Sequence, residues 1–107
     1  MATINATHNA AGVHTYAGAA TGDTFAPLGL GFFTAGSIQA EGLGDSTLAL
    51  HGSNDGVNFY ALSDLSGVAI AMTADGLTQF TAAVAFVKPA LTGGTDAAVD
   101  VSVRLLA

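Results

Sequence analysis

Cysteine and tryptophan are absent from this chain, and only two residues, Lys88 and Arg104, are basic. Without cysteine there is no disulfide framework and no thiolate metal site, and the redox compartment leaves no mark on the sequence. Eight acidic residues against two basic ones give a formal net charge of −6. Nucleic-acid binding needs clustered lysine and arginine to neutralise phosphates, so that class is excluded, and anionic membrane surfaces are disfavoured for the same reason. Long apolar runs are missing too. The strongest, Val68 to Met72, falls far short of the about 20 residues that a membrane-spanning helix requires. Met1-Ala2-Thr3-Ile4-Asn5 has neither the basic start nor the apolar stretch of a signal peptide. The Asn5-Ala6-Thr7 sequon is therefore read as a chance match.

With charged residues at 9 %, the surface must be built largely from serine, threonine, asparagine, glycine and alanine. So neutral a surface points to life inside an assembly. A length of 107 residues suits one domain with a single core. Half of the chain is hydrophobic, with alanine the largest contributor. Burial contributes roughly 25 cal/mol per Å² of apolar surface, so an alanine-rich core stabilises modestly, and burial against a partner would add to it.

The chain is organised around Ser46 to Ser63, where apolar runs Leu48 to Leu50 and Val57 to Leu62 flank Ser53-Asn54-Asp55-Gly56. Asn and Asp tolerate positive φ and Gly adopts it freely, so the stretch predicts a central hairpin. Residues 1–23 sustain neither a strand nor a helix period and read as an N-terminal arm, with one short strand over Val13-His14-Thr15-Tyr16 and turns at Ala17-Gly18 and Thr21-Gly22-Asp23. Two readings of that arm stay open: a loosely held terminus, or a segment that orders on a neighbouring subunit.

Residues 24–107 read as the β-sandwich domain. Thr24 to Leu28 is extended, with Pro27 at an edge or strand start, and Gly29 to Gly36 is an apolar loop. Ser37 to Glu41 alternates, with Ile38 and Ala40 inward and Gln39 and Glu41 outward, before a turn at Gly42 to Asp45. Beyond the hairpin come a turn at Ser63 to Gly67, a strand at Val68 to Thr73, and a helical or 3₁₀ turn within Ala74 to Gln79. Phe80 to Lys88 predicts a long strand stopped by Pro89, and Thr92-Gly93-Gly94-Thr95 a second hairpin. In Ala97 to Leu106 the pattern is clearest: Ala97, Val99, Val101, Val103 and Leu105 face one way, Asp100, Ser102 and Arg104 the other. Short strands between Gly-rich turns, with no helical period, predict an all-β fold, an antiparallel sandwich or jelly-roll-like barrel.

Catalytic chemistry is thin. The histidines are His8, His14 and His51, without H-E-x-x-H spacing. Asn54-Asp55-Gly56-Val57-Asn58 is oxygen-rich but lacks the spacing and closing glutamate of an EF-hand, so a turn explains it. Asp64, Asp75 and Asp96 also fall in turns, where aspartate bonds nearby backbone N–H groups. Gly29-Leu30-Gly31 completes no phosphate-binding motif, and no serine sits in a G-x-S-x-G elbow. Only Tyr16 and Tyr60 offer tyrosine platforms for a sugar. The expectation is a non-enzyme with no catalytic, cofactor-binding or metal-binding residues and no cofactor.

Three blocks in order, G-S-I-Q-A-E-G (Gly36 to Gly42), A-L-H-G-S-N-D-G-V-N-F (Ala49 to Phe59) and A-L-S-D (Ala61 to Asp64), resemble small virion structural proteins of tailed bacteriophages and prophages. The likeness extends to G-D-T-F-A-P (Gly22 to Pro27), T-A-D-G-L (Thr73 to Leu77), V-K-P-A-L-T-G-G (Val87 to Gly94) and V-D-V-S-V-R-L-L (Val99 to Leu106). Two positions depart from it: Phe59 stands where such proteins often carry Trp, and Lys88 where they carry Arg before the proline. The resemblance implies a capsid decoration (cement) protein on the outer surface of the assembled head, a homotrimer reinforcing contacts between major capsid protein subunits. A tail, baseplate or head-fibre component, or a receptor- or glycan-binding module, are the alternatives it leaves.

Overall fold

The computed structural model describes residues 3–8, 12–20, 22–31, 33–94 and 98–106. Those residues form twelve strands: β1 (Thr3–Ile4), β2 (Thr7–His8), β3 (Val13–Ala19), β4 (Thr24–Phe25), β5 (Leu28–Gly29), β6 (Ala35–Glu41), β7 (Thr47–Ser53), β8 (Tyr60–Ala61), β9 (Ala71–Met72), β10 (Gly76–Thr81), β11 (Phe86–Thr92) and β12 (Val99–Leu106). Among the described residues there is no α-helix. One antiparallel sheet runs β10-β6-β12-β3-β2; the other runs β5-β11-β7-β8, with β9 also paired to β7. A short parallel pair, β1 with β4, lies apart from both. The fold is the all-β sandwich that the alternating strands predict.

The core follows from that alternation. Ile38 and Ala40 on β6 and Val99, Val101, Val103 and Leu105 on β12 are buried, as are Leu48 and Leu50 on β7 and Val87 and Leu91 on β11. All belong to one hydrophobic cluster, together with Leu30, Leu43, Ile70 and Phe80. Expected facing on β6 and β12 is therefore observed. Glycine matters most at Gly36, buried between β10 and β12, where a Cβ would run into the Arg104 carbonyl.

Several boundaries need correction. Val13–Ala19 is not the end of an arm but a seven-residue strand between β12 and β2. Tyr16 and Ala19 are fully buried there, so the sandwich begins well before residue 24. They are three positions apart, an odd spacing that no regular strand places on one face. A bulge resolves this. Val99 pairs with Ala19 and Val101 with Tyr16, so Ala17 and Gly18 together oppose Asp100. Gly18 takes φ +66° and donates its N–H to Asp100 Oδ1 at 2.8 Å. The Tyr16 ring packs edge-on against Phe25 at 5.1 Å, and its hydroxyl donates to the Ala26 carbonyl at 2.6 Å.

The expected helical turn at 74–79 is instead the start of β10. The expected long strand over 80–88 is two strands in different sheets, since the chain crosses between them after Thr81. Pro89 does not stop a strand; it lies buried inside β11, opposite Leu50. On the other side of β11, β5 pairs only with Phe86 and Val87, so proline's missing N–H leaves no gap in a ladder there. Gly93 and Gly94 do take positive φ, but they lead from one sheet to the other rather than around a hairpin. Thr95, Asp96 and Ala97 lie outside the described residues, as do Thr21 and Phe32.

Candidate functional site

The central hairpin exists, with a wider loop and a shorter return arm than its sequence suggests. Residues of β8 pair with His51 and Gly52 of β7, while Val57 and Tyr60 are exposed. Of Asn54, Asp55 and Gly56, only Gly56 has positive φ. What holds the loop is the Asp55 carboxylate. Its Oδ1 accepts from Ser53 Oγ at 2.8 Å, Val57 N at 2.8 Å and Asn58 N at 2.9 Å. Oδ2 accepts from Asn58 Nδ2 at 3.0 Å. Donation by the Asn58 and Val57 backbones, then by Ser53 and the Asn58 side chain, holds this carboxyl far below the usual carboxylate range. Ser53 Oγ in turn accepts from Gly56 N at 3.0 Å. Asn54 Oδ1 ties the loop to the neighbouring crossing by accepting from Ala85 N at 3.2 Å. The oxygens that resemble a cation loop are thus occupied by the protein's own donors. Beside them lies an open cleft of about 380 Å³, bordered by Asn54, Asn58, Tyr60 and Val84.

The loop folds over the outer face of its sheet. A Cβ on Gly56 would sit 3.4 Å from the Phe86 ring, and Lys88 Nζ lies 4.3 Å from the centroid of Phe59. Phe59 and Lys88 are therefore one cation–π pair. His51 faces Lys88 across β7 and β11. Burial, and then the Lys88 charge, push its imidazole pKa down.

The other two histidines come together on β2 and β3. Their rings are 4.8 Å apart, and burial followed by the His8 charge lowers the His14 pKa. No group of three His, Asp or Glu side chains placed to hold a metal occurs among the described residues. Asp64 bonds its own turn as expected, whereas Asp75 reaches the distant Gly42-Leu43 turn. Asp64 Oδ1 accepts from Ser66 N at 2.9 Å and Val68 N at 3.1 Å. Asp75 accepts from Leu43 N at 2.9 Å and Gly42 N at 3.0 Å, which keeps it ionised. Tyr16 is a core residue and Tyr60 a surface one.

Sequence reasoning missed one surface. The turn expected at Ser63 to Gly67 is present, but the strand expected over Val68 to Thr73 is only Ala71–Met72; residues 63–69 form a finger, closed by the Ser63–Ala69 bridge and the Asp64 N to Val68 O bond of 2.7 Å. A groove of about 410 Å³ beside it is bordered by Leu65, Leu77, Gln79, Arg104 and Leu106. Leu65 and Leu77, apolar residues each within an expected turn, were the available signal.

No family model matches the chain, and no curated protein matches it in sequence. Among solved structures, it is similar to the SPBc2 prophage-derived protein YomS, with a TM-score of 0.65 at 12% identity, covering 88% of this chain and 93% of that one. It is similar as well to PliG of Aeromonas hydrophila, a periplasmic lysozyme inhibitor of g-type lysozyme, with a TM-score of 0.63 at 12% identity over 98% of this chain and 96% of that one. PirA follows at a TM-score of 0.50 and 9% identity, covering 92% of this chain and 97% of that one. At these identities the likeness is one of fold.

Proposed function

We propose that this protein is a structural component of a tailed-phage particle, a decoration protein that binds the outside of the assembled head and reinforces contacts between major capsid subunits. The observation that carries the reading is where the virion-like blocks fall. They form β6, β7 with its loop, β11 and β12, the strands that build both inner faces. Their two departures, Phe59 and Lys88, meet in space. A fold held in common with a prophage-derived protein over most of both chains supports the phage context. The low surface charge suits a protein seated on a shell, and self-association would multiply weak individual contacts.

Purified particles test it directly. Mass spectrometry of separated heads and tails is expected to find the protein on heads, in numbers comparable with the major capsid subunit. A reconstruction is expected to place it on the outer surface. Absence from heads, or a few copies confined to the tail, overturns the reading.

A further inference from the structure

Sheet edges expose unpaired backbone donors and acceptors, and proteins blunt them with very short strands, charges, proline or bulges. The outermost strands β2, β5 and β8 are only two residues long, and the stretches they leave open carry a bulge on β3 and Lys88-Pro89 on β11. The remaining outer strand is β10: six residues, Gly-Leu-Thr-Gln-Phe-Thr, with no charge and no proline. Its pairing with β6 is regular throughout, so no bulge twists it away.

The phase of its open side follows from one hydrogen bond. Ala82 N donates to Thr34 O at 2.8 Å, continuing the β6 register. Backbone groups alternate in direction along an antiparallel strand, so Thr78 and Phe80 face β6. Leu77, Gln79 and Thr81 then direct their N–H and C=O groups outward. The surroundings of this edge are apolar: Leu65 is 61%, Val68 62%, Leu77 56% and Leu106 42% exposed. The finger stands across from the edge, leaving a cleft of about 320 Å³ between Asp64, Leu65 and Ser66 on one wall and Leu77, Thr78 and Gln79 on the other.

We propose that this slot receives an extended segment of a partner polypeptide, which adds to β10 as a further strand. Only a strand satisfies a row of alternating backbone donors and acceptors. A single segment fits where a second copy does not, because the finger occupies the side on which another whole sheet would continue. Apolar side chains of the segment pack on Leu65 and Leu77. Asp64 on the finger places a carboxylate in the wall of the slot, and the chain carries eight acidic residues against two basic ones, so the segment carries lysine or arginine at its ends. Arg104, the nearest basic group, borders the adjoining groove rather than the slot itself. The inference deepens the attachment reading by naming a contact surface, and its test in solution is independent of the particle assay.

The probes are two end-blocked peptides, Lys-Thr-Leu-Thr-Leu-Thr-Lys and its counterpart with glutamate at both ends. Amide exchange and NMR titration of the full chain give the readout. In the free protein the Leu77, Gln79 and Thr81 amides are expected to exchange freely while Thr78 and Phe80 are protected. The lysine-ended peptide raises protection at the first three at least tenfold, shifts signals only in β10 and residues 63–69, and binds at least tenfold tighter than the glutamate-ended one at low salt. Leu77→Asp, at an exposed position, abolishes that binding without moving the melting temperature. Protection of the three amides in the free monomer, no response to either peptide, or equal affinity for both overturns the proposal. Protection that rises with protein concentration alone assigns the edge to a second copy and overturns it too. Wild-type attachment of Leu77→Asp to heads would remove the slot from the attachment contact while leaving the decoration reading standing.

Discussion

Replacing Tyr16 separates a strand built into the sandwich from a terminal arm laid on it. Its side chain is fully buried, stacked edge-on with Phe25 and hydrogen-bonded to the Ala26 carbonyl. Tyr16→Phe keeps the ring and leaves that carbonyl without its donor, a loss of about 1–2 kcal/mol. Tyr16→Ala removes the ring as well and opens a cavity, at about 3–5 kcal/mol. For a domain of this size each kcal/mol moves the melting temperature by roughly 4–6 °C. The expected falls are therefore about 5–10 °C and about 15–25 °C, read by calorimetry or circular dichroism. Burial also raises the Tyr16 phenol pKa well above the ordinary 10.0. Its neutral form is favoured in the folded state, so the stabilisation is complete below pH about 10 and is lost as pH rises beyond that. Stability of the native chain is expected to decline above pH about 10 more steeply than that of Tyr16→Phe. A melting temperature unmoved by Tyr16→Ala would refute the placement of β3 inside the sheet.

Gly36→Ala is expected to leave little folded protein, because the added methyl meets the Arg104 carbonyl and the Phe80 ring; soluble yield and near-ultraviolet dichroism report it. A double-mutant cycle with Phe59→Leu and Lys88→Met is expected to give a coupling of about 0.5–1 kcal/mol by urea denaturation. Phe59→Trp combined with Lys88→Arg is expected to enlarge that coupling, and no coupling in either background dismisses the pair. Asp55 is depressed in the folded state by its loop donors, so it contributes stability above its unfolded pKa that is lost as pH falls below about 4. Asp55→Asn is expected to flatten that acid limb and to speed amide exchange at Val57 and Asn58.

Regular alternation was legible. Val99 to Leu105 and Ile38 with Ala40 announced their inward faces because each lies in an unbroken strand between two neighbours. β3 was illegible for a local reason: the bulge at Ala17 and Gly18 shifts the period midway, so that Tyr16 and Ala19 share a face. β10 was hidden because its apolar Leu77 points outward at the edge while Thr78 turns inward, the reverse of the usual pattern. The hairpin expected at Gly93 and Gly94 is a crossing between sheets: both glycines take positive φ, but two glycines do not say whether the chain returns to its own sheet or crosses to the other. The Asp55 loop was legible as turn chemistry; its contact with the opposite strand through Phe59 and Lys88 required the fold.

Closing the first sheet is a kinetic problem as much as a structural one. β12 lies between β6 and β3 and pairs Val13 with Arg104, residues from opposite ends of the sequence. Chain-closure entropy must be met before those contacts return anything, so folding is expected in the slow range of β-rich topologies, milliseconds to seconds. Until β12 inserts, β6 and β3 each present an unpaired side, and a crowded, unfinished population is exposed to mispairing. The same central strand, once inserted, cannot leave without breaking two ladders at once. A molecule organised this way is slow to assemble and slow to come apart.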